Sequence, residues 1–125
     1  MSDRSHLDSL PVRVAVISGY PAVHAGITVL LGRDPAIEIV PVGHGDGFGL
    51  LTIDALVVDH AGLETAIDLA RELAVRPPFV ILGAEPETDW PELGAGPVAF
   101  LAGDAGAAEL VAAVLAVVHG LIVID

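Results

Sequence analysis

Near its start the chain reads Val12-Arg13-Val14-Ala15-Val16-Ile17-Ser18-Gly19-Tyr20-Pro21. The first six residues are mostly β-branched and apolar, which is typical of a strand buried on both faces of a parallel sheet. Pro21 suits the first turn of a helix, because its missing N–H has no partner there in any case. Beyond it, Val23, Ile27, Leu30 and Leu31 recur at helical spacing and Gly32 follows as a stop signal. The stretch therefore predicts a strand, a small polar turn and a helix.

The same alternation continues along the chain. Apolar runs predict four further strands, over residues 37–42, 55–58, 79–82 and 98–101. Helical patterns over 63–74 and 107–119 separate or follow them, whereas the glycine-rich segment 43–49 and the proline-containing segment 85–93 leave room for shortened helices only. Residues 121–124 fit either a last strand or the start of a linker. Alternating strands and helices predict an α/β fold with a doubly wound, five-stranded parallel sheet.

Composition limits the function. The 125 residues carry 17 acidic side chains against five arginines, no lysine and no cysteine, for a formal charge of −12. Nucleic-acid binding depends on Lys and Arg neutralising phosphates, so we expect this domain not to bind DNA itself. No apolar run reaches the roughly 18 residues of a membrane span. We expect a cytoplasmic protein with a flexible lead over residues 1–11 and one domain over 12–125.

Several segments resemble one family in both order and spacing. They are 12–17 with 20–27, Asp34-Pro35 before 37–40, Asp54-Ala55-Leu56-Val57-Val58-Asp59, Gly62-Leu63-Glu64-Thr65-Ala66, and Ala95-Gly96-Pro97-Val98-Ala99-Phe100-Leu101. The chain is similar over nearly its whole length to receiver domains of bacterial response regulators, particularly the NarL/FixJ (LuxR-type) subfamily. The resemblance implies the flavodoxin-like receiver fold, with its second and fourth helices shortened here.

The family's chemistry requires an acid pair after strand one for Mg²⁺, an aspartate that accepts the phosphoryl group, a hydroxyl after strand four and a lysine after strand five. By resemblance, Asp59 occupies the phosphoacceptor position. The acid pair is replaced by Ser18-Gly19, the hydroxyl by Gly83 and the lysine by Gly103. Phosphoryl transfer needs cations that neutralise developing charge, so we expect an atypical receiver that is not phosphorylated. We expect no catalytic residue, metal or cofactor, and Asp59 to accept hydrogen bonds from nearby backbone N–H groups.

Three other chemistries are weighed against this interpretation: a metal site, a phosphate-binding loop and a nucleophilic serine. A metal site built from Asp59, His60 and a further ligand such as His24 is conceivable, but histidine is common on ordinary surfaces. The glycine-rich segment 43–49 lacks the following Lys-Ser/Thr of a P-loop, and a simple connection explains it better. Ser18 has no evident base and fits a small polar strand end.

The last helix is unusually apolar. Between residues 107 and 118 the only charged side chain is Glu109, with Asp104 as the expected N-cap and Gly120 as the stop. A helix on one side of a sheet normally has a polar outer face, so this one is either simply alanine-rich or covered by a partner. For the second case we expect a homodimer interface, with the first helix contributing partners. The interface residues are Leu110, Val111, Val114, Leu115 and Val118, with Ile27 and Leu31.

Two functional hypotheses follow. The first is a phosphorylation-independent dimerisation and signal-input domain of a transcription factor, whose helix-turn-helix domain would follow Asp125. The alternative is a small-molecule sensor that uses the degenerate crevice at the carboxyl ends of the strands, where ligands bind in such sheets. The expected crevice residues are Ser18, Gly19, Tyr20, Asp59, His60, Gly83 and Gly103.

Overall fold

The computed structural model of the chain describes residues 11–41, 53–71, 77–83 and 98–120, together with the backbone of 123–124. The elements within these ranges are β1 (Val12–Ile17), α1 (Pro21–Gly32), β2 (Ile37–Ile39), β3 (Ala55–Asp59), a 3₁₀ turn (His60–Gly62), α2 (Leu63–Ala70), β4 (Phe79–Leu82), β5 (Val98–Leu101), α3 (Ala107–Val118) and β6 (Val123–Ile124).

The strands form one parallel sheet in the order β2-β1-β3-β4-β5-β6. The predicted doubly wound, five-stranded parallel sheet is confirmed by β1 to β5. For the tail, the sequence leaves open a last strand or the start of a linker. Residues 123–124 form a strand, because they pair with β5 at the edge of the sheet. β2 ends earlier than the sequence predicts, at Ile39, although the N–H of Val40 still donates to the carbonyl of Val14 over 2.8 Å.

The core lies on both faces of the sheet, since alternate residues of each strand point to opposite sides. On one face, Val14, Val16 and Val57 pack against α1 and α3. On the other, Ala15, Leu56 and Val58 pack against α2. β1 and β3 therefore need apolar residues at consecutive positions, which explains the uninterrupted apolar runs in the sequence.

Four residues expected at a dimer interface lie inside this core instead. Ile27 and Leu31 of α1, and Leu110 and Val114 of α3, are at most 5% exposed. They form the sheet-facing side of their helices, so they are not available to a partner. Val111, Leu115 and Val118 are half-buried at the margin of the same cluster. Of the seven residues predicted at the interface, Val111, Leu115 and Val118 are those with partly exposed side chains.

The start of α3 differs from the expectation. The helix begins after Gly106 rather than being capped by Asp104. Oε1 of Glu109 accepts a hydrogen bond from the N–H of Gly106 over 3.2 Å, so the third residue of the helix satisfies a donor at its N-terminus. Asp104 precedes Gly106 by two residues, which is too early for the N-cap position. At the other end Gly120 has a φ of +88°, as the stop signal predicts.

Several predictions lie outside the described residues. These are the flexible lead apart from Pro11, the glycine-rich segment 43–49, both shortened helices, and the end of the helix predicted over 63–74. Within the described ranges, no helix has the length and apolar character that a membrane span requires.

Candidate functional site

The carboxyl ends of the central strands converge on one crevice. β1 leads into Ser18-Gly19, β3 ends at Asp59, β4 leads into Gly83, and β5 is followed by Gly103 two residues later. The strand order reverses between β1 and β3, because β2 lies on one side of β1 and β3 on the other; open parallel sheets bind ligands at such a switch point. The topology thus brings together the residues that the sequence analysis placed there.

Both carboxylate oxygens of Asp59 accept hydrogen bonds from the protein. Oδ2 accepts from the hydroxyl of Ser18 over 2.6 Å. Oδ1 accepts from the N–H of Gly62 over 2.8 Å and from that of Gly19 over 3.3 Å. The Gly62 contact caps the 3₁₀ turn that follows β3. Asp59 therefore connects the ends of β1 and β3, which includes the backbone contacts expected from the sequence and adds a side-chain partner.

Ser18 also orders the turn before α1. Its Oγ accepts a hydrogen bond from the N–H of Tyr20 over 3.0 Å while donating to Asp59. This local side-chain-to-backbone bond is characteristic of serine in turns. Ser18 thus gives Asp59 a hydrogen-bond donor at a position where, by resemblance to receiver domains, a second acid would stand.

Close packing occupies the space beside Asp59. A Cβ placed on Gly19 would lie 2.7 Å from the Cβ of Ala61, and one on Gly62 would lie 3.0 Å from the carbonyl oxygen of Ile17. The first separation is shorter than real Cβ atoms show, and the second is unusually tight. The 3₁₀ turn therefore lies directly against the end of β1, and any side chain at Gly19 would require Ala61 to shift.

These residues do not fit the Mg²⁺ that the receiver fold implies. Mg²⁺ requires several oxygen ligands in near-octahedral geometry. Among the described residues, Asp59 is the single carboxylate that accepts hydrogen bonds at this strand end, and both of its oxygens are already engaged. Over the described ranges, no three His, Cys, Asp or Glu side chains lie close enough together to hold a metal ion.

The two remaining family positions differ from each other. Gly83 has a φ of +79°, a left-handed conformation that serine and threonine rarely adopt, so the hydroxyl position is occupied by a backbone that favours glycine. At Gly103, the one atom of the described residues that a Cβ would meet within 4 Å is the Cα of Gly83, at 3.9 Å. A side chain is therefore sterically possible at the lysine position.

Next to these glycines the structure contains a cavity of about 490 Å³. Of the expected crevice residues, Tyr20, Asp59, His60, Gly83 and Gly103 line it, whereas Ser18 and Gly19 do not. The sequence analysis missed much of the wall: Val23, Gly26, Ile27, Leu30, Ala61, Leu82, Ala105 and Leu110. The sequence shows the helical spacing of Val23, Ile27 and Leu30 in α1. That spacing indicates a shared helix face, but it does not indicate that the face lines a cavity.

A second groove, of about 460 Å³, lies between the end of α1 and the first turns of α3. Leu30, Arg33, Val111, Ala112 and Leu115 are among its lining residues. Val111 and Leu115, two of the predicted interface residues, therefore line this groove, whereas Val118 does not.

The sheet order, the flanking helices and the converging strand ends define a receiver-like α/β domain. Among solved structures the chain is similar to the response regulator ChrA of a heme-sensing two-component system, with a TM-score of 0.60 and 27% sequence identity. The similarity covers 90% of this chain and 59% of that chain, so this chain spans little more than half of that regulator. No protein-family model and no curated protein matches the sequence.

Proposed function

We propose that this chain is the regulatory, non-enzymatic receiver-like domain of a NarL/FixJ-type transcriptional regulator, and that it works without phosphorylation. The observation that carries the proposal is the contact set of Asp59. The hydroxyl of Ser18 and the N–H groups of Gly19 and Gly62 donate to its oxygens, and Ala61 fills the space at Gly19, the second position of the acid pair. Without lysine in the chain, no ammonium group is present to neutralise a phosphoryl group on Asp59.

The direct test is incubation with Mg²⁺ and acetyl phosphate, followed by intact-protein mass spectrometry of the wild type and Asp59→Asn. We expect neither protein to gain a phosphoryl group. A mass increase in the wild type that Asp59→Asn abolishes would overturn the proposal. The matched variant is informative because asparagine keeps one oxygen for the N–H of Gly62 and so preserves the turn.

Dimerisation is the output we propose for the domain. The exposed surfaces of α1 and α3 carry mainly small or apolar residues, including Val23, Val29, Ala108 and Ala112. Val111, Leu115 and Val118 lie half-buried at their edge. A mainly apolar face, with Glu109 as the charged residue of α3, is a part of this acidic chain on which two copies can approach with less repulsion. Pairing would place two helix-turn-helix domains, each following Asp125 in the full-length protein, on paired half-sites.

The second candidate function is small-molecule sensing, and the cavity beside Asp59 favours it. Its volume falls within the range of about 300–1,000 Å³ that is usual for ligand pockets. A thermal-shift screen of metabolites tests this function, since a ligand that binds only the native state raises the melting temperature by mass action. A screen without any hit, together with a stable dimer in solution, would favour dimerisation alone.

A further inference from the structure

The cavity beside Asp59 has a strongly asymmetric lining. Much of the lining consists of apolar side chains from α1, β4 and α3, namely Val23, Ile27, Leu30, Leu82 and Leu110. Ile27, Leu82 and Leu110 are at most 6% exposed, so they belong to a fixed core rather than to movable surface chains. The polar groups, those of Tyr20, Asp59 and His60, all lie on residues at or just after strand ends. A ligand would thus meet an apolar wall on one side and polar groups on the other.

The charges around the cavity exclude one class of ligand. Asp59 is the acidic residue in the lining, and the lining includes neither lysine nor arginine among the described residues. The chain as a whole has a formal charge of −12. An anion would approach Asp59 without a guanidinium or ammonium partner and against the field of the whole chain. A neutral or cationic molecule meets no such opposition.

We propose that this cavity binds a small, mainly apolar molecule that is neutral or positively charged, with its polar end towards Asp59. The proposal rests on the sensor function above and specifies its ligand class. The glycines at 83 and 103 leave the space open, because no side chain extends from either position. Loss of the family's hydroxyl and lysine therefore creates room as well as removing phosphoryl chemistry.

The chain offers a matched pair of variants for testing the location. Gly26 and Gly32 both lie in α1, and a Cβ on either meets no atom of the described part of the chain within 4 Å; of the two, Gly26 lines the cavity. Gly26→Leu fills the cavity, and Gly32→Leu is its control. Both changes replace a helical glycine, so neither is expected to impair folding. Gly103→Leu places a side chain in the cavity from the loop after β5. Ala112→Leu places one in the second groove instead.

The neutral fluorophore N-phenyl-1-naphthylamine serves as the probe, with 8-anilinonaphthalene-1-sulfonate as its anionic counterpart. We expect saturable binding of the neutral dye, weakened about tenfold or more by Gly26→Leu and by Gly103→Leu. Gly32→Leu and Ala112→Leu should leave it within about twofold, which is less than 0.5 kcal/mol. The sulfonate should bind about fivefold more weakly than the neutral dye, and Asp59→Asn should reduce that ratio.

Three results would overturn the proposed location of the site, and a fourth would overturn the proposed class of ligand. The first three are an absence of saturable neutral-dye binding, equal affinity in wild type and both cavity-filling variants, and a loss of binding in Ala112→Leu alone. A preference for the sulfonate would contradict the ligand class. None of these results bears on phosphorylation, which the mass measurement tests separately, so failure here and failure of the phosphorylation-independent function remain distinguishable.

Discussion

The hydroxyl of Ser18 donates a hydrogen bond of 2.6 Å to Oδ2 of Asp59, joining the ends of two neighbouring strands. In the family that this chain resembles, an acidic pair at the first strand end holds a metal ion against the aspartate. Here a direct hydrogen bond connects the same two strand ends. The residue that would accept a phosphoryl group thereby stabilises the fold, and its contacts can be tested by measuring stability.

Ser18→Ala should lower the free energy of unfolding by about 1–2 kcal/mol, because it leaves Oδ2 of Asp59 without its protein donor in a half-buried site. Urea denaturation measures the change. In an Asp59→Asn background the same substitution should cost less, since the charge-assisted bond is already absent. Equal costs in both backgrounds would show that Ser18 acts through another contact.

Asp59→Ala should destabilise the domain by about 1–2 kcal/mol, whereas Asp59→Asn should cost less. Asparagine retains an acceptor for the N–H of Gly62 and alanine does not. Thermal and urea unfolding of the two variants separate this capping role from any role of the charge. If both variants are as stable as the wild type, Asp59 is not the cap of the 3₁₀ turn.

Gly19→Ala should destabilise the domain by about 1–3 kcal/mol, because the new methyl group would overlap the Cβ of Ala61. Ala61→Gly removes that atom and should recover much of the loss in the double variant, as a double-mutant cycle can show. Additive effects of the two substitutions would contradict the contact. The same overlap predicts that Gly19→Asp alone does not restore Mg²⁺ binding, which isothermal titration would measure.

Gly83→Ala and Gly103→Ala form a matched pair at the two other family positions. The first should cost about 1–2 kcal/mol, since alanine is strained at a φ of +79°. The second should change stability little, because a Cβ there makes only an ordinary contact. Chemical denaturation measures the free energy of unfolding of both variants. An equal loss of stability in the two would contradict the role of the positive φ at Gly83.

Ala112→Asp should shift a dimer towards monomer in sedimentation velocity, because it places a carboxylate on the exposed apolar face of α3 in a chain that is already acidic. Thr65→Asp adds the same charge on α2, on the opposite side of the sheet, and should leave the dimer intact. If both variants dissociate, net charge is responsible. If the wild type is monomeric at every concentration, the dimer proposal fails.

Most of the secondary structure could be predicted from periodicity, since a strand buried on both faces must be continuously apolar and a helix must repeat every three to four residues. Periodicity does not predict that Ile27 and Leu110 are buried. Their helices are apolar on nearly every side, so spacing indicates which residues share a face but not which face turns inward. The cap of α3 was misassigned for a related reason, because Asp104 and Gly106 are both plausible starts until Glu109 is seen to reach back.

By itself, the sequence determined the parallel α/β order, the convergence of Ser18, Asp59, Gly83 and Gly103 on one edge, and the absence of the lysine and acid pair. These follow from local patterns and from residue identity. Only the tertiary structure decided that Ser18 bonds to Asp59, that Ala61 fills the space at Gly19, and that an apolar cavity opens towards α1. The reason is physical: such contacts join residues about forty positions apart, and their distances depend on how the strand ends pack together.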